Sequence, residues 1–451
     1  MKKLSIIFIS IITMLNLTSC SGFFSSPVSL MHPPKSSGDL AEIEETLSKI
    51  APDYQLSYPN SGKFRNAVII KDLNNDRINE AVVFYQTTKN KTITVHMNIL
   101  TLRDGNWISN FDTALSGTGV DRIEFHDVCY GDETEIFVGS KLYNTNEQEL
   151  NVFSYKENKV NSLITERYTD YLVGDIGASK KPQILIFKIE PKSDAVSHEA
   201  KDSPLVNQVS AKLLSLSYSK DGEAVTLGTA PFDNRVASFS SISVSKTEDD
   251  KNVVFLDAFV GDNSMITEVF YYEKTLKTTF YNKRAKTTDL TYRESLIGSR
   301  DIDFDGSYEI PKTYLCQGYD GVETEADRVY FTEWYDLNGK ALDNKAISGF
   351  INNMDNYFVS TPAEWLGNVT AQRNTDLRER IFCDWDFTNK TFGETLFSIR
   401  VFLKSDFKND NQGFTKINED NEYIYAVKVN EDAKSEYKIT VEQLKENIIL
   451  L

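Results

Sequence analysis

The segment Asp301-Ile-Asp-Phe-Asp-Gly-Ser-Tyr-Glu309 places carboxylates at positions 1, 3, 5 and 9 of one short stretch. A hard cation such as Ca²⁺ takes about six to eight oxygens at about 2.4 Å. Carboxylates at alternate positions of a tight turn converge on one point. Gly306 permits the turn, a backbone carbonyl fills the next place, and Glu309 closes the shell. Asp301, Asp303, Asp305 and Glu309 are therefore one candidate Ca²⁺ set. Asp72, Asn74, Asp76 and Glu80 form a second, with fewer charges and no glycine. The same aspartates also make Asx turns that end one strand and start the next, and both roles can hold together. Loops opening at Asp127 and Asp175 lack the middle ligands and read as turns alone.

Other chemistry is sparse. The four histidines, His32, His96, His126 and His198, are scattered. His126 beside Asp127 could form an acid–base pair, but no nucleophile motif accompanies it, so a strand or surface histidine is expected. Beyond Cys20, Cys129, Cys316 and Cys383 have no metal-ligand spacing, and buried apolar thiols are expected over a disulfide. The chain contains no G-x-S-x-G, H-E-x-x-H or P-loop motif. With 66 acidic residues, chance carboxylate pairs are common, so counting alone leaves a glycosidase-like pair open as an alternative. Trp107, Trp334, Trp365 and Trp385 are candidate platforms for a glycan or peptide, although aromatics also favour strands.

The acidic loops recur, and the recurrence defines the elements that hold them. Asp72 to Glu80, Asp127 to Glu135, Asp175 to Gln183 and Asp301 to Glu309 share one separation, and each leads into an apolar run. A degenerate copy ends at Asn252. The closing positions 80, 135, 183, 252 and 309 lie 55, 48, 69 and 57 apart. Each interval holds about four strand-like runs, such as Ala81–Gln86 and Ile93–Arg103 in the first, and the fifth interval opens near Ser295–Asp301. Four short strands per repeat are the pattern of a propeller blade. One such sheet cannot bury both faces alone, and stacking does so. The expected fold is mainly β: a β-propeller of about five four-stranded blades with a small C-terminal α+β domain.

Asp301 and Asp303-Phe-Asp-Gly306 with Glu309 resemble the loop of the FG-GAP/VCBS-type propeller repeats, also found in integrin α-chain heads. The resemblance covers roughly residues 62–350. It implies a propeller with Ca²⁺ in the loops. The family pattern D-x-D-G-D-G is broken by Asn75 and Arg77 in the first copy and by Phe304 in the last.

After residue 355 the repeat fades. Strands are expected at Val369–Gln372, Arg380–Asp386, Thr395–Leu403 and Tyr423–Val429, then a helix capped by Thr440 and Gln443. These strands form a separate domain over 356–451 or, alternatively, further blades. At the other end, residues 39–355 open with a short helix. Asp39 is its expected cap, with Glu42 as capping-box partner, and Leu40, Ile43, Leu47 and Ile50 lie on one face.

The address lies at the start. Lys2 and Lys3 precede an apolar stretch from Leu4 to Leu17, too short to span a bilayer but right for a secretory signal. Leu17-Thr-Ser-Cys20 resembles the bacterial lipobox, which implies a signal peptide over 1–19 and a diacylglyceryl group on Cys20. Ser21 to Gly38, rich in Ser, Pro and Gly, reads as the rest of a tether over 20–38. The net charge of −17 disfavours nucleic acid and anionic lipid as partners. The expectation is an extracytoplasmic lipoprotein on the bacterial cell membrane that binds an envelope protein or a glycan. The alternative is an envelope hydrolase or lyase using paired carboxylates.

Overall fold

The computed structural model describes residues 38–129, 133–143, 147–157, 159–179, 181–190, 207–216, 223–247, 250–339 and 341–451. Cys20, His32, His198, the expected signal peptide and all but the last residue of the expected tether lie outside them. Among the described residues the chain is mainly β, in six antiparallel sheets. It divides into two compact units. Taken over the described residues, the first spans 38–58, 66–72 and 76–115; the second spans 59–65, 73–75 and 116–451.

The first unit carries helix α1 (Asp39–Ile50) and strands β1 (Gln55–Leu56), β2 (Val68–Lys71), β3 (Glu80–Lys89), β4 (Thr92–Arg103) and β5 (Asn106–Leu115). β3, β4 and β5 form a meander, and β1 and β2 pair with opposite ends of β3. Ile43 and Leu47 of α1 pack on Ala81, Val83, Tyr85, Leu100 and Trp107. The expected cap is corrected. Gly38 is the N-cap and no side chain caps the helix, so Asp39 lies inside the first turn, where its charge still favours the helix dipole. Leu40 and Ile50 are exposed, leaving an apolar face narrower than expected.

The second unit carries the other five sheets. The second sheet is β6 (Gly119–His126), β7 (Glu135–Lys141), β8 (Gln148–Lys156) and β9 (Lys159–Tyr168). The third is β10 (Asp170–Gly174), β11 (Gln183–Glu190), β12 (Gln208–Ser215) and β13 (Val225–Ala230). β14 (Ser238–Lys246), β15 (Asn252–Gly261), β16 (Ser264–Tyr272) and β17 (Leu276–Thr278) make the fourth. The fifth begins with β18 (Ile310–Leu315), β19 (Tyr330–Tyr335), β20 (Lys345–Asn352) and β21 (Tyr357–Ser360). The sixth holds β22 (Val369–Asn374), β23 (Glu379–Asp386), β24 (Thr391–Leu403), then helix α2 (Lys404–Asn409), β25 (Thr415–Glu419) and β26 (Tyr423–Val429). Helix α3 (Val441–Asn447) leads to β27 (Ile448–Leu450), which returns to pair with β21 of the fifth sheet.

Within this unit consecutive sheets stack face to face, because their central strands are apolar on both sides. Ile184 and Ile186 of β11 pack with Phe137 and Val152 of the second sheet. Leu185 and Phe187, on the opposite face, pack with Val254, Leu256 and Phe270 of the fourth. Val253 and Phe255 then meet Ile310 of the fifth sheet, and Phe331, Phe350 and Val359 meet Phe382, Phe397 and Val427 of the sixth. A short continuous apolar run is what a doubly covered strand requires.

Two sequence expectations change here. The strand expected at Ser295–Asp301 is reduced to one bridge, Arg300 to Glu309, and the fifth sheet starts at β18. The expected boundary at 355/356 falls between β20 and β21, two hydrogen-bonded strands of one sheet. The Thr440 cap is as expected: its hydroxyl accepts from Gln443 N at 3.2 Å, and Gln443 Oε1 accepts from Thr440 N at 2.9 Å.

Candidate metal centre

The residue closing each acidic loop is buried, and its first duty is to the backbone. Glu135 Oε2 accepts from Val128 N at 2.9 Å, Gln183 Oε1 from Ile176 N at 2.8 Å, and Glu309 Oε2 from Ile302 N at 2.8 Å. Each donor lies seven residues before its acceptor. Gln183 shows that this duty needs an oxygen but no charge. The charge on Glu309 is therefore surplus to the turn, and a buried carboxylate needs compensation. Burial pushes the Glu309 carboxyl up to about 8. The Ile302 hydrogen bond opposes this, and the carboxylates of Asp303, Asp305 and Asp336 add to it.

The loops at 72–80 and 301–309 follow one backbone path. Asp72 Oδ2 accepts from Arg77 N at 2.9 Å, and Asp301 Oδ2 accepts from Gly306 N at 3.0 Å. Asp76 and Asp305 each accept from the amide two residues on, both at 2.7 Å. Asn75 and Phe304 are left-handed at φ 60° and 62°, as are Arg77 and Gly306 at 73° and 98°. The two glycine positions of the family pattern thus keep a glycine-like conformation after most of the glycines are gone. Such a φ is costly for a bulky residue, and Phe304 bears it while 65% exposed.

The two loops differ in what they gather. Carboxylate oxygens of Asp301, Asp303 and Glu309 lie within 4.8 Å of one another, and so do those of Asp305, Glu309 and Asp336. Glu309 is 0% exposed and belongs to both groups. Its Oε1, and Oδ1 of Asp301, are buried without a hydrogen-bond partner among the described residues. Hard oxygen donors, convergent and partly orphaned, fit a divalent cation of the Ca²⁺ type. Among the described residues, Asp72, Asp76 and Glu80 are not brought into such a group. Sequence spacing missed Asp336, which stands 27 residues beyond Glu309 and enters only through the fold.

In the remaining loops protein groups bind some of the carboxylate oxygens, while Asp127 Oδ1, like Asp72 Oδ1, is buried without a hydrogen-bond partner among the described residues. The Lys181 ammonium, from the Asp175 loop, binds Asp127 Oδ2. Asp175 Oδ1 accepts from Gly177 N at 2.8 Å. His126 pairs with Glu124 at 2.9 Å instead of Asp127, and His96 pairs with Asp112 at 3.0 Å. Arg122 bonds Asp170 at 2.7 Å, sits 3.6 Å from Glu124 and stacks 3.8 Å from the Tyr171 ring. Those carboxylates are thus held by a guanidinium. Of the tryptophans read as candidate platforms, Trp107, Trp334 and Trp365 are core residues, while Trp385 is half-buried against Phe392. Cys129, Cys316 and Cys383 are free thiols. Burial pushes Cys316 and Cys383 up to about 12.

No family model matches the chain, and no curated protein does. Among solved structures it is similar to the exotype rhamnogalacturonan lyase YesX at 10% identity and a TM-score of 0.32, covering 76% of this chain and 73% of that one. Rhamnogalacturonan lyase YesW is similar at 11% identity and a TM-score of 0.29, over 66% and 67% of the two chains. Both scores fall short of a shared overall fold.

Proposed function

We propose that the protein is a membrane-anchored extracytoplasmic binding lipoprotein whose sheets are propeller blades, presented to an envelope protein or a glycan. The observation that carries this reading is the succession of meander sheets in chain order, stacked in the second unit through apolar faces. Such sheets form a rigid platform, and their connecting loops form a rim free to vary. The sixth sheet then serves as a further blade. Ca²⁺ at Asp301, Asp303, Asp305 and Glu309 stiffens one rim loop. Asp72, Asn74, Asp76 and Glu80 are the lesser candidate for the same ion. The lipid on Cys20 holds the platform at the cell membrane.

The hydrolase or lyase alternative needs paired free carboxylates. Glu124 and Asp170 are held by Arg122 and are no such pair, whereas the carboxylates of Asp301, Asp303, Asp305, Glu309 and Asp336 converge, so a turnover assay separates the two readings.

Two measurements test the reading. Labelling of expressing cells with radioactive palmitate should mark the full chain and not Cys20→Ser; absence of label in the unaltered chain rejects the lipid anchor. Calorimetric Ca²⁺ titration of the detergent-solubilised chain should show saturable binding, weakened at least tenfold by Asp303→Ala. Absence of heat at millimolar Ca²⁺ rejects the metal. Turnover of an envelope glycan by the same preparation would favour the alternative.

A further inference from the structure

We propose that Asp336, outside the acidic loop, is a ligand of the cation held by that loop, so that the site joins two segments of the fifth sheet. This rests on the Ca²⁺ reading of the loop and adds a ligand that the nine-residue pattern does not contain. Three observations carry it. Carboxylate oxygens of Asp305, Glu309 and Asp336 lie within 4.8 Å of one another. Asp336 is buried at 8% exposure, too deep for a carboxylate that merely faces solvent. Glu309, fully buried and shared with the Asp301–Asp303 group, keeps Oε1 without a hydrogen-bond partner among the described residues. A cation at this point would give that oxygen its partner and offset the three carboxylates together.

The geometry of Asp336 supports a positioned ligand. It directly follows β19. Its Oδ2 accepts from Asn344 Nδ2 at 2.7 Å, and its own amide donates to Asn344 O at 3.0 Å. The carboxylate is therefore oriented from behind, as ligand carboxylates commonly are. The next residues, Leu337, Asn338 and Gly339, form one wall of a cavity of about 820 Å³ whose other walls include Lys246, Tyr271 and Tyr272. Lys246 also bridges to Ser307 of the acidic loop. Cation binding through Asp336 thus fixes the wall of the neighbouring cavity as well as the loop.

The test is a Ca²⁺ titration of the detergent-solubilised full chain and of Asp336→Asn, with Asp303→Ala alongside. Wild type should bind, and Asp336→Asn should bind at least tenfold more weakly. Wild-type binding with unchanged affinity in Asp336→Asn overturns the inference and leaves the loop reading standing. No binding by wild type removes both. Hydrogen exchange gives a readout that survives a destabilised variant. In wild type, added Ca²⁺ should slow exchange at the amides of 337–344 as well as at 302–308. Slowing confined to 302–308 overturns the role of Asp336.

Discussion

Arg293→Ala is expected to destabilise the second unit by about 3–5 kcal/mol, the usual cost of removing one partner of a buried ion pair. The Arg293 and Asp257 side chains are 2% and 1% exposed and meet at 3.0 Å. The guanidinium also donates to Ile297 O at 2.6 Å and to Thr267 Oγ1 and Thr291 O at 3.0 Å. Asp257 Oδ2 accepts from Ser241 Oγ, Ser299 N and Ser299 Oγ at 3.1, 2.8 and 2.7 Å. Truncating Arg293 leaves a carboxylate in the interior with hydroxyl and amide donors and, as opposite charge, the Arg300 guanidinium acting on it without a hydrogen bond. It also strands two carbonyls. Arg293→Lys, with a single ammonium in place of the planar fork, should recover only part of the loss. Urea unfolding followed by tryptophan fluorescence measures this. A loss below about 1 kcal/mol would mean that water reaches the site and the pair is not a buried one.

Glu268→Gln is expected to stabilise the protein at pH 8 and to flatten its stability between pH 4.5 and 7. Glu268 is 0% exposed. Burial pushes its carboxyl from 4.5 up to about 7, against hydrogen bonds from Phe280 N, Thr288 Oγ1 and Val269 N. Between those two values the folded chain holds a proton that the unfolded chain has lost. Stability therefore falls as pH rises through this window and levels off above 7. At about 1.4 kcal/mol per pH unit the fall is about 3 kcal/mol. Glutamine keeps an oxygen for Phe280 N and Val269 N, at 3.0 and 3.1 Å, and the Thr288 hydroxyl can turn to accept from its amide. Melting temperatures across pH 4.5–8 should separate the two proteins only above pH 5 or so. Parallel curves over the whole range would show that Glu268 keeps an ordinary carboxyl pKa.

The strands were legible where the sequence repeats an apolar run between turn residues. Ile184-Leu-Ile-Phe187 is such a run, and each of its residues is buried. The loops were legible too, because their carboxylates bond amides within nine residues and leave their spacing in the sequence. What stayed hidden depends on distant groups. The segment 295–301 reads as a strand, yet its backbone is claimed by side chains. Glu325 takes the amide of Leu296, Arg293 the carbonyl of Ile297, and Asp257 the amide of Ser299. Asp336 carries no local mark. Its neighbours in the chain describe the end of a strand, and only the antiparallel pairing of β18 with β19, which sets Ile310 opposite Tyr335, brings it to Glu309. Trp334 failed as a platform for the converse reason. Its indole Nε1 donates to Thr332 at 2.9 Å, which lets a large aromatic be wholly enclosed.

The return of β27 to the fifth sheet bears on the order in which the chain acquires its shape. Ile448, Ile449 and Leu450 pair with Val359, Phe358 and Tyr357, yet the whole sixth sheet lies between them in the chain. A polypeptide that emerges from its N-terminus can complete the earlier sheets one after another. The fifth cannot be completed until the sixth has emerged and the chain has doubled back. The fifth sheet is therefore the last to be completed, and a synthesis interrupted before β27 leaves it with an open edge at β21 available to other chains.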